Sequence, residues 1–448
     1  MKIKFLGAAG TVTGSSYVLT SGSGKSILID LGMFQGPEVD HLNYQQYEYD
    51  CGLLSGAVLT HAHLDHCGRL PILLKKGFTE SIFMTSATAD LAELSLLDTA
   101  KIALEDERQP LFDKALAEQA FQRFKRVAYR EPFTVGDFTV TMRDAGHILG
   151  SAYLEIIDNK PDSPIKKIVF SGDLGNSPDE LLPDIERIES ADAVVMESTY
   201  GDRLHPVANP IDVIAAEINA VEAIGGTLLI PAFSLHRTQE LMHIIRHLKE
   251  KGKVKEDTQI FMDSPMANAA TTIYTRYPED FNAHIKEEMN SSSPFTFPGI
   301  VVIHKYKGKR LIAEALGAKV IIAGSGMMTG GRIVGHAATY LPIPSTRLLL
   351  VGWQGEQTLG RMLLEGDRKV KIADQDVSVK ATVTDTQSMS SHADQQQLID
   401  WLQSMKGVQK VFLTHGDNEP RQALAAKITK DLAINDVLLP RMHEEISL

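Results

Sequence analysis

Three histidines and one aspartate fall within six residues in His61-Ala-His63-Leu-Asp65-His66, directly after the apolar run Gly56–Thr60. Gly-Ala-Val-Leu-Thr reads as a short buried strand. That sets the cluster at a strand's carboxyl end, where open α/β sheets place their sites. Imidazole nitrogen and carboxylate oxygen together suit zinc or a similar divalent ion. Alternate residues His61 and His63 can converge on one ion, while Asp65 and His66 lean toward a second. The competing reading is a charged turn that caps a helix, with Asp65 near its start, but such a turn has no need of so many metal-type donors.

With 448 residues the chain is long enough for two or three compact units. Its two cysteines, Cys51 and Cys67, exclude a disulfide framework and point to a cytoplasmic protein. Cys67 follows His66 directly and reads as a small buried thiol rather than a ligand. The N-terminus lacks a long apolar segment and no stretch has the apolar length of a membrane span, so no membrane partner is expected. A net charge of −12 disfavours a nucleic-acid partner without excluding one, because bound cations in a deep site supply their own positive field. Two basic clusters, Arg123, Lys125, Arg126 and Arg130, then Lys305, Lys307, Lys309 and Arg310, read as solvated faces.

The first 170 residues pattern as short strands separated by Gly and Ser turns: Ile3–Leu6, Ser16–Leu19, Ser26–Ile29, Gly56–Leu59, Phe138–Met142, Ala152–Ile157 and Lys167–Phe170. Helical spacing runs over Ala87–Asp106 and Leu111–Phe124. From about Thr199 strands and helices alternate, with strands at Thr227–Ile230, Gln259–Met262, Lys319–Ile322 and Thr346–Val351 and a helix over Ser234–Lys249. This texture argues a parallel sheet with helical crossovers. The closing segment patterns as strand Val377–Val383, helix Ala393–Met405, strand Gln409–Thr414 and helix Asn418–Ala433.

Three later strand ends repeat the opening theme. His147 lies in Asp144-Ala-Gly-His-Ile-Leu-Gly-Ser, Asp173 in Ser171-Gly-Asp-Leu-Gly, and His415 in Leu413-Thr-His-Gly-Asp. Each is a small-residue loop after a strand, so its side chain can approach a shared centre. With the first cluster these residues complete two coordination spheres.

The set resembles the metallo-β-lactamase superfamily, whose His-x-His-x-Asp-His signature is matched at His61, His63, Asp65 and His66. The further ligands are matched at His147 and Asp173, and the early acidic motif at Asp30. The resemblance implies one metal held by His61, His63 and His147, a second held by Asp65, His66 and His415, and Asp173 bridging them. Asp30 is then a residue that orients the ligand loop rather than a ligand.

Glu197-Ser-Thr-Tyr-Gly resembles motif A of the β-CASP nucleases, Ser390-Ser-His392-Ala-Asp394 their motif B, and Thr414-His415-Gly their motif C. Further family-like segments lie between A and B, beginning at Pro231, Asp263 and Gly324. The resemblance spans essentially the whole chain. It implies an αββα metallo-β-lactamase sandwich in two stretches, 1–198 and 373–448, with an α/β β-CASP domain inserted at 199–372. Two positions depart from the family pattern: His236, where a small residue is usual before Arg237, and Gln357, where Gly-Thr-Leu-Gly is usual. Both lie outside the metal motifs.

By the same resemblance the chain is a zinc-dependent ribonuclease that hydrolyses phosphodiester bonds in single-stranded RNA, with two Zn2+ per chain and Mn2+ as a substitute. Two metals about 3.5–4 Å apart can ionise a bridging water and set it in line with phosphorus. The family gives protonation of the leaving ribose oxygen to the motif B histidine, here His392, oriented by the motif A carboxylate, here Glu197. A carboxylate beside an imidazole raises its pKa and fixes its tautomer, which yields an acid usable near neutrality. The alternative for His392 is a neighbour of a helix N-cap, with Ser391 capping a helix that begins near Ala393.

Arg237, Arg332 and Arg361 are candidates for phosphate contacts, equally suited to structural salt bridges. Ser390 and Ser391 are candidates for a terminal-phosphate pocket. The inserted domain is expected to clamp the metal site and admit single strands. An endonuclease is favoured over a 5′-exonuclease, and a homodimer is a candidate assembly. The rivals are a DNA-directed β-CASP nuclease, a non-catalytic RNA-processing scaffold, and a small-ester hydrolase.

Overall fold

The computed structural model describes residues 1–36, 38–45, 47, 49–105, 109–160, 165–206, 208–304 and 309–448. Two compact units emerge. One joins Met1–Leu204 to Ser391–Leu448, and the other is His205–Ser390.

The first unit is built on two seven-stranded sheets. In one, Glu445–Ser447, Lys2–Gly7, Ser16–Thr20 and Ser26–Leu31 run antiparallel in turn, and Leu54–Val58, Ile82–Thr85 and Phe124–Val127 continue the sheet in parallel. In the other, Asp436–Leu438, Lys410–Leu413, Ala193–Met196 and Lys167–Phe170 are parallel, and Ala152–Asp158, Phe138–Asp144 and Phe133–Val135 are antiparallel.

Side chains alternate along these strands, so each sheet offers one apolar face to the other. Ile3, Phe5, Leu19, Ile27 and Ile29 of the first sheet share a core with Val140, Leu154, Ile156, Phe170 and Phe412 of the second. The rings of Phe5 and Phe412 lie 5.6 Å apart, as do those of Tyr17 and Phe170. Full burial of such a side chain contributes roughly 1.5–3 kcal/mol. The outer face of the second sheet packs Val169, Val194 and Val411 against Leu398, Trp401, Leu402, Leu424 and Ile428 from the helices Gln395–Gln403 and Asn418–Leu432. The helix Ser86–Glu105 packs on the first sheet. Helix, sheet, sheet and helix therefore stack in that order.

The helix expected over Ala393–Met405 begins at Gln395, because Asp394 caps it. The Asp394 carboxylate accepts from the Gln397 N–H, and the Gln397 side chain accepts from the Asp394 N–H. Ser391 is thus not the cap. The helical pattern over Leu111–Phe124 is shorter in fact, Lys114–Phe121, and its tail becomes an edge strand. The last residue of the expected helix Ala87–Asp106 lies outside the described residues.

The second unit holds a six-stranded parallel sheet in the order Ile300–Val302, Gln259–Met262, Lys319–Ala323, Thr227–Pro231, Thr346–Leu350 and Thr382–Asp385. The single strand expected over Val377–Val383 is two: Gln375–Ser378 pairs back on Lys369–Ile372, and Thr382–Asp385 extends the parallel sheet. Leu229, Phe261, Ile321 and Leu348 pack against Ile333, Ala337 and Leu363. Among the described residues no helix is long and apolar enough to cross a membrane.

Candidate active site

All seven residues singled out as metal ligands lie at strand ends of the first unit. The strand Leu54–Val58 delivers His61 and His63, and the one-turn helix Leu64–Cys67 carries Asp65 and His66. Asp173 follows Lys167–Phe170, and His415 follows Lys410–Leu413 at a φ of +46°. A non-glycine residue in the left-handed region is a backbone cost, and such costs collect at functional sites. The strand Ser26–Leu31 ends beside the ligand loop at Gly32. A Cβ on Gly32 would lie 1.5 Å from the Asp65 carbonyl oxygen, so only glycine permits this approach.

The donors gather in two overlapping groups, His61, His63, His147 and Asp173, then Asp65, His66, Asp173 and His415. In the first group His63 Nδ1 lies 3.2 Å from His61 Nε2 and 3.1 Å from His147 Nε2, and Asp173 Oδ2 lies 3.5 Å from His61 Nε2. In the second, Asp173 Oδ1 lies 3.2 Å from His66 Nε2, and Asp65 Oδ2 lies 3.3 Å from His415 Nε2.

Tetrahedral zinc with ligand distances of about 2.0–2.1 Å sets its donors about 3.3 Å apart. The spacing of both groups fits that requirement, and so does the chemistry of the donor set. Asp173 Oδ1 is also buried without a hydrogen-bond partner, which leaves a carboxylate lone pair aimed into the second group. The residues present fit divalent metal ions.

Neighbouring groups fix the rings. His147 Nδ1–H donates to the Ser391 carbonyl at 2.9 Å, which turns Nε2 toward His63. Asp30 accepts from the Thr60 N–H and from the Thr60 hydroxyl, each at 2.8 Å, and its Oδ2 lies 2.8 Å from His66 Nδ1. Asp30 thereby ties the ligand loop to its strand and orients His66 without joining either donor group. The Thr199 hydroxyl lies 3.1 Å from His415 Nδ1.

Burial sets the electrostatics. It pushes His61 and His147 well below the usual imidazole range and His63 down to about 4, which keeps their lone pairs free for a cation. Burial opposes charge on Asp173 too, but His415, His66 and His61 outweigh it and hold the carboxyl well below its usual range. His66 goes the other way: burial would lower it, yet Asp173 and Asp30 lift it well above an ordinary histidine. Cys67 is buried, donates weakly to the Ala62 carbonyl and has its thiol pushed well up by burial, so it is a packing residue.

Beside the donors sits a second unit of chemistry. His392 Nδ1 lies 3.2 Å from Glu197 Oε2, and Glu197 Oε1 accepts from the Leu174 N–H at 2.7 Å. The His392 ring is 4.7 Å from that of His147, and its Nδ1 is 3.9 Å from Asp173 Oδ2. Burial depresses His392, but Glu197, Asp173 and Asp65 outweigh that effect and hold it up at about 9.

The candidate phosphate-binding arginines are each paired with a carboxylate. Arg237 pairs with Glu240, Arg332 with Asp263, and Arg361 with Glu365 at 2.6 Å, all within the second unit. Ser390 is buried at the end of that unit. The two family departures share a trait. His236 has φ +69° and is the centre of a γ-turn closed by the Arg237 N–H to the Leu235 carbonyl, and Gln357 has φ +62°. Both are positions a small residue or glycine fills at lower cost.

Of the basic clusters, Arg126 pairs with Asp90 at 2.6 Å, Arg130 with Glu186 at 3.1 Å and Arg310 with Glu314 at 2.5 Å. Lys305, Lys307 and the Lys309 side chain lie outside the described residues.

Sequence reading passed over Thr60, Thr199 and Arg69. Arg69 is buried, donates to the Gly32 carbonyl and stacks its guanidinium 4.6 Å over Phe34. The signal available for Arg69 was its place three residues after His66; nothing local marked its burial.

The layering and strand-end donors are those of the metallo-β-lactamase fold. A beta-lactamase superfamily domain model matches residues 38–232, a Beta-Casp domain model 238–363, and a Zn-dependent metallo-hydrolase RNA specificity domain model 376–440. The chain belongs to the β-CASP family of RNA-processing nucleases within that superfamily.

Ribonuclease TTHA0252 of Thermus thermophilus is 34% identical over the full length of both chains. RNase aCSPSF2 of Saccharolobus solfataricus is 29% identical over 100% of this chain and 85% of its own. Transcription termination factor FttA of Thermococcus kodakarensis is 29% identical over 94% of this chain and 68% of its own. A crystal structure of a protein of unknown function from Enterococcus faecalis shares the fold, with a TM-score of 0.55 and 11% identity over 100% of this chain and 99% of that one.

Proposed function

We propose that this chain is a metal-dependent ribonuclease that hydrolyses phosphodiester bonds in single-stranded RNA, with two zinc ions held by His61, His63, His147, Asp65, His66, His415 and the shared Asp173. The relatives named ribonuclease and RNase support RNA as substrate. When bound, such ions supply positive charge at the phosphoryl group and lower the pKa of water.

The chain's own residues do the rest. Asp30, the Ser391 carbonyl and Thr199 hold His66, His147 and His415 in place. As water adds to phosphorus, the bond from phosphorus to the leaving ribose oxygen breaks, and that oxygen takes a proton. His392 is the donor in this reading. Its Nδ1–H is committed to Glu197, which leaves the Nε2–H as the proton to give, and the carboxylate stabilises the charged ring until transfer.

The single observation that carries the reading is the Glu197–His392 pair, set 4.7 Å ring to ring from His147. Hydrolysis of a thioester, whose thiolate departs without a proton, has no comparable need for it. The pair and a complete donor set also argue against a non-catalytic scaffold.

Substrate class is tested by cleavage of matched single-stranded RNA and DNA of one sequence, each also presented as duplex. Preferential cutting of single-stranded RNA is the expected result. Preferential cutting of DNA would replace RNA with DNA as the substrate, and turnover of a small ester without nuclease activity would overturn the nuclease reading altogether.

A further inference from the structure

A second cluster of metal-type donors lies inside the unit His205–Ser390, on residues the proposed reaction does not use. His243 and His247 are four apart on the helix Arg237–Glu250 and therefore share a face. The helix Ala283–Met289 adds Glu288. His243 Nε2 lies 2.9 Å from His247 Nε2 and 3.5 Å from Glu288 Oε2, and His247 Nε2 lies 2.8 Å from Glu288 Oε1. These separations run from somewhat below to slightly above the edge of a zinc tetrahedron, about 3.3 Å.

The arrangement of neighbouring groups favours a cation at the centre. His247 Nδ1 lies 3.1 Å from Glu250 Oε2, the carboxylate–histidine arrangement that orients metal-ligating imidazoles. His247 Nε2 faces a carboxylate oxygen and a second imidazole nitrogen. His243 is buried, and its Nδ1 has no hydrogen-bond partner, so it presents only its Nε2 edge to polar groups. Arg246 approaches Glu288 Oε2 at 3.3 Å, and the exposed His284 brings its Nε2 to 3.0 Å from Glu288 Oε1.

We propose that His243, His247 and Glu288 bind a further divalent ion of zinc type, with His284 or water as the fourth ligand, and that this ion clasps the two helices together. Its ligands come from two helices of one unit, so binding of the ion would couple to the stability of that unit.

The test uses the full chain, purified with zinc and dialysed against metal-free buffer. Zinc is counted in the parent, in His247→Gln, in a His63→Ala/Asp65→Ala double variant, and in the triple combination. One equivalent fewer in His247→Gln than in the parent, and again in the triple than in the double variant, is the expected result, with RNA cleavage by His247→Gln unchanged. The double variant separately reports the candidate active site, so failure of either site is read on its own. Because His247→Gln can lose structure, Glu288→Gln is compared by melting temperature in the same double-variant background. Added zinc should raise the melting temperature when Glu288 is present and not when it is replaced. Equal zinc content with and without His247 in folded protein, or an equal zinc response with and without Glu288, would reduce the cluster to an ion-pair network and overturn the proposal.

Discussion

His392 Nδ1 and Glu197 Oε2 stand 3.2 Å apart although 195 residues separate them in the chain. The contact joins the end of the strand Ala193–Met196 to the loop that precedes the helix Gln395–Gln403. An acid works only while protonated, so activity that depends on His392 is present below its pKa and lost as pH rises through it. Burial lowers that pKa, and Glu197 is the first of the carboxylates that raise it. Glu197→Gln should therefore move the alkaline limb of the pH–rate profile to lower pH, as well as lower kcat. A profile that falls in height without moving would assign Glu197 a merely structural role.

His392→Ala should lower RNA cleavage about 10²–10⁴-fold with bound metal unchanged. The deficit should largely vanish on a phosphodiester with a nitrophenyl leaving group, which departs without a proton. Equal loss on both substrates would mean that His392 does not act as the acid.

Asp30 binds Thr60 twice and His66 once, and thus holds the ligand loop from outside the donor groups. Asp30→Asn should weaken metal affinity about 10–100-fold, read by chelator competition, while the fold stays intact by circular dichroism. Unaltered affinity would contradict the orienting role.

Asp280 offers a check on stability independent of the reaction. Burial, with Glu279 adding and Lys286 opposing, pushes its carboxyl up to about 6. The folded state then binds this proton more tightly than the unfolded chain, so the group costs nothing below its unfolded pKa of about 3.9 and becomes a penalty as pH rises from there through the folded value. Asp280→Asn should raise unfolding free energy by about 1–2 kcal/mol at pH 8 and by little at pH 4. An effect of equal size at both pH values in denaturant titrations would contradict the burial argument.

Much of this was legible in the chain because strand ends are short-range features. Each of Val58, Phe170, Met196 and Leu413 closes an apolar run just before a motif residue, and alternation marks those runs without any knowledge of the partner strand. At the tail of the pattern Leu111–Phe124, Phe121 and Phe124 fit helical spacing, but tertiary pairing with Ile82–Thr85 makes Phe124–Val127 a strand. Ser391 looked like a helix cap because serine caps well; Asp394, with Gln397 three residues on, caps better. The arginines could not be placed, since a guanidinium suits Glu240, Asp263 or Glu365 as readily as phosphate, and only the fold shows which is adjacent. The His243–His247–Glu288 cluster escaped notice because its third donor comes from another helix, 41 residues beyond His247.

The central claim, hydrolysis at the seven-residue donor cluster with His392 as proton donor, is tested most directly by one assay. End-labelled single-stranded RNA is incubated with the parent, His392→Ala and Asp65→Ala, and the metal content of each is measured alongside. The account predicts cleavage by the parent alone, with metal retained in His392→Ala and reduced in Asp65→Ala. Undiminished cleavage by either variant would contradict it.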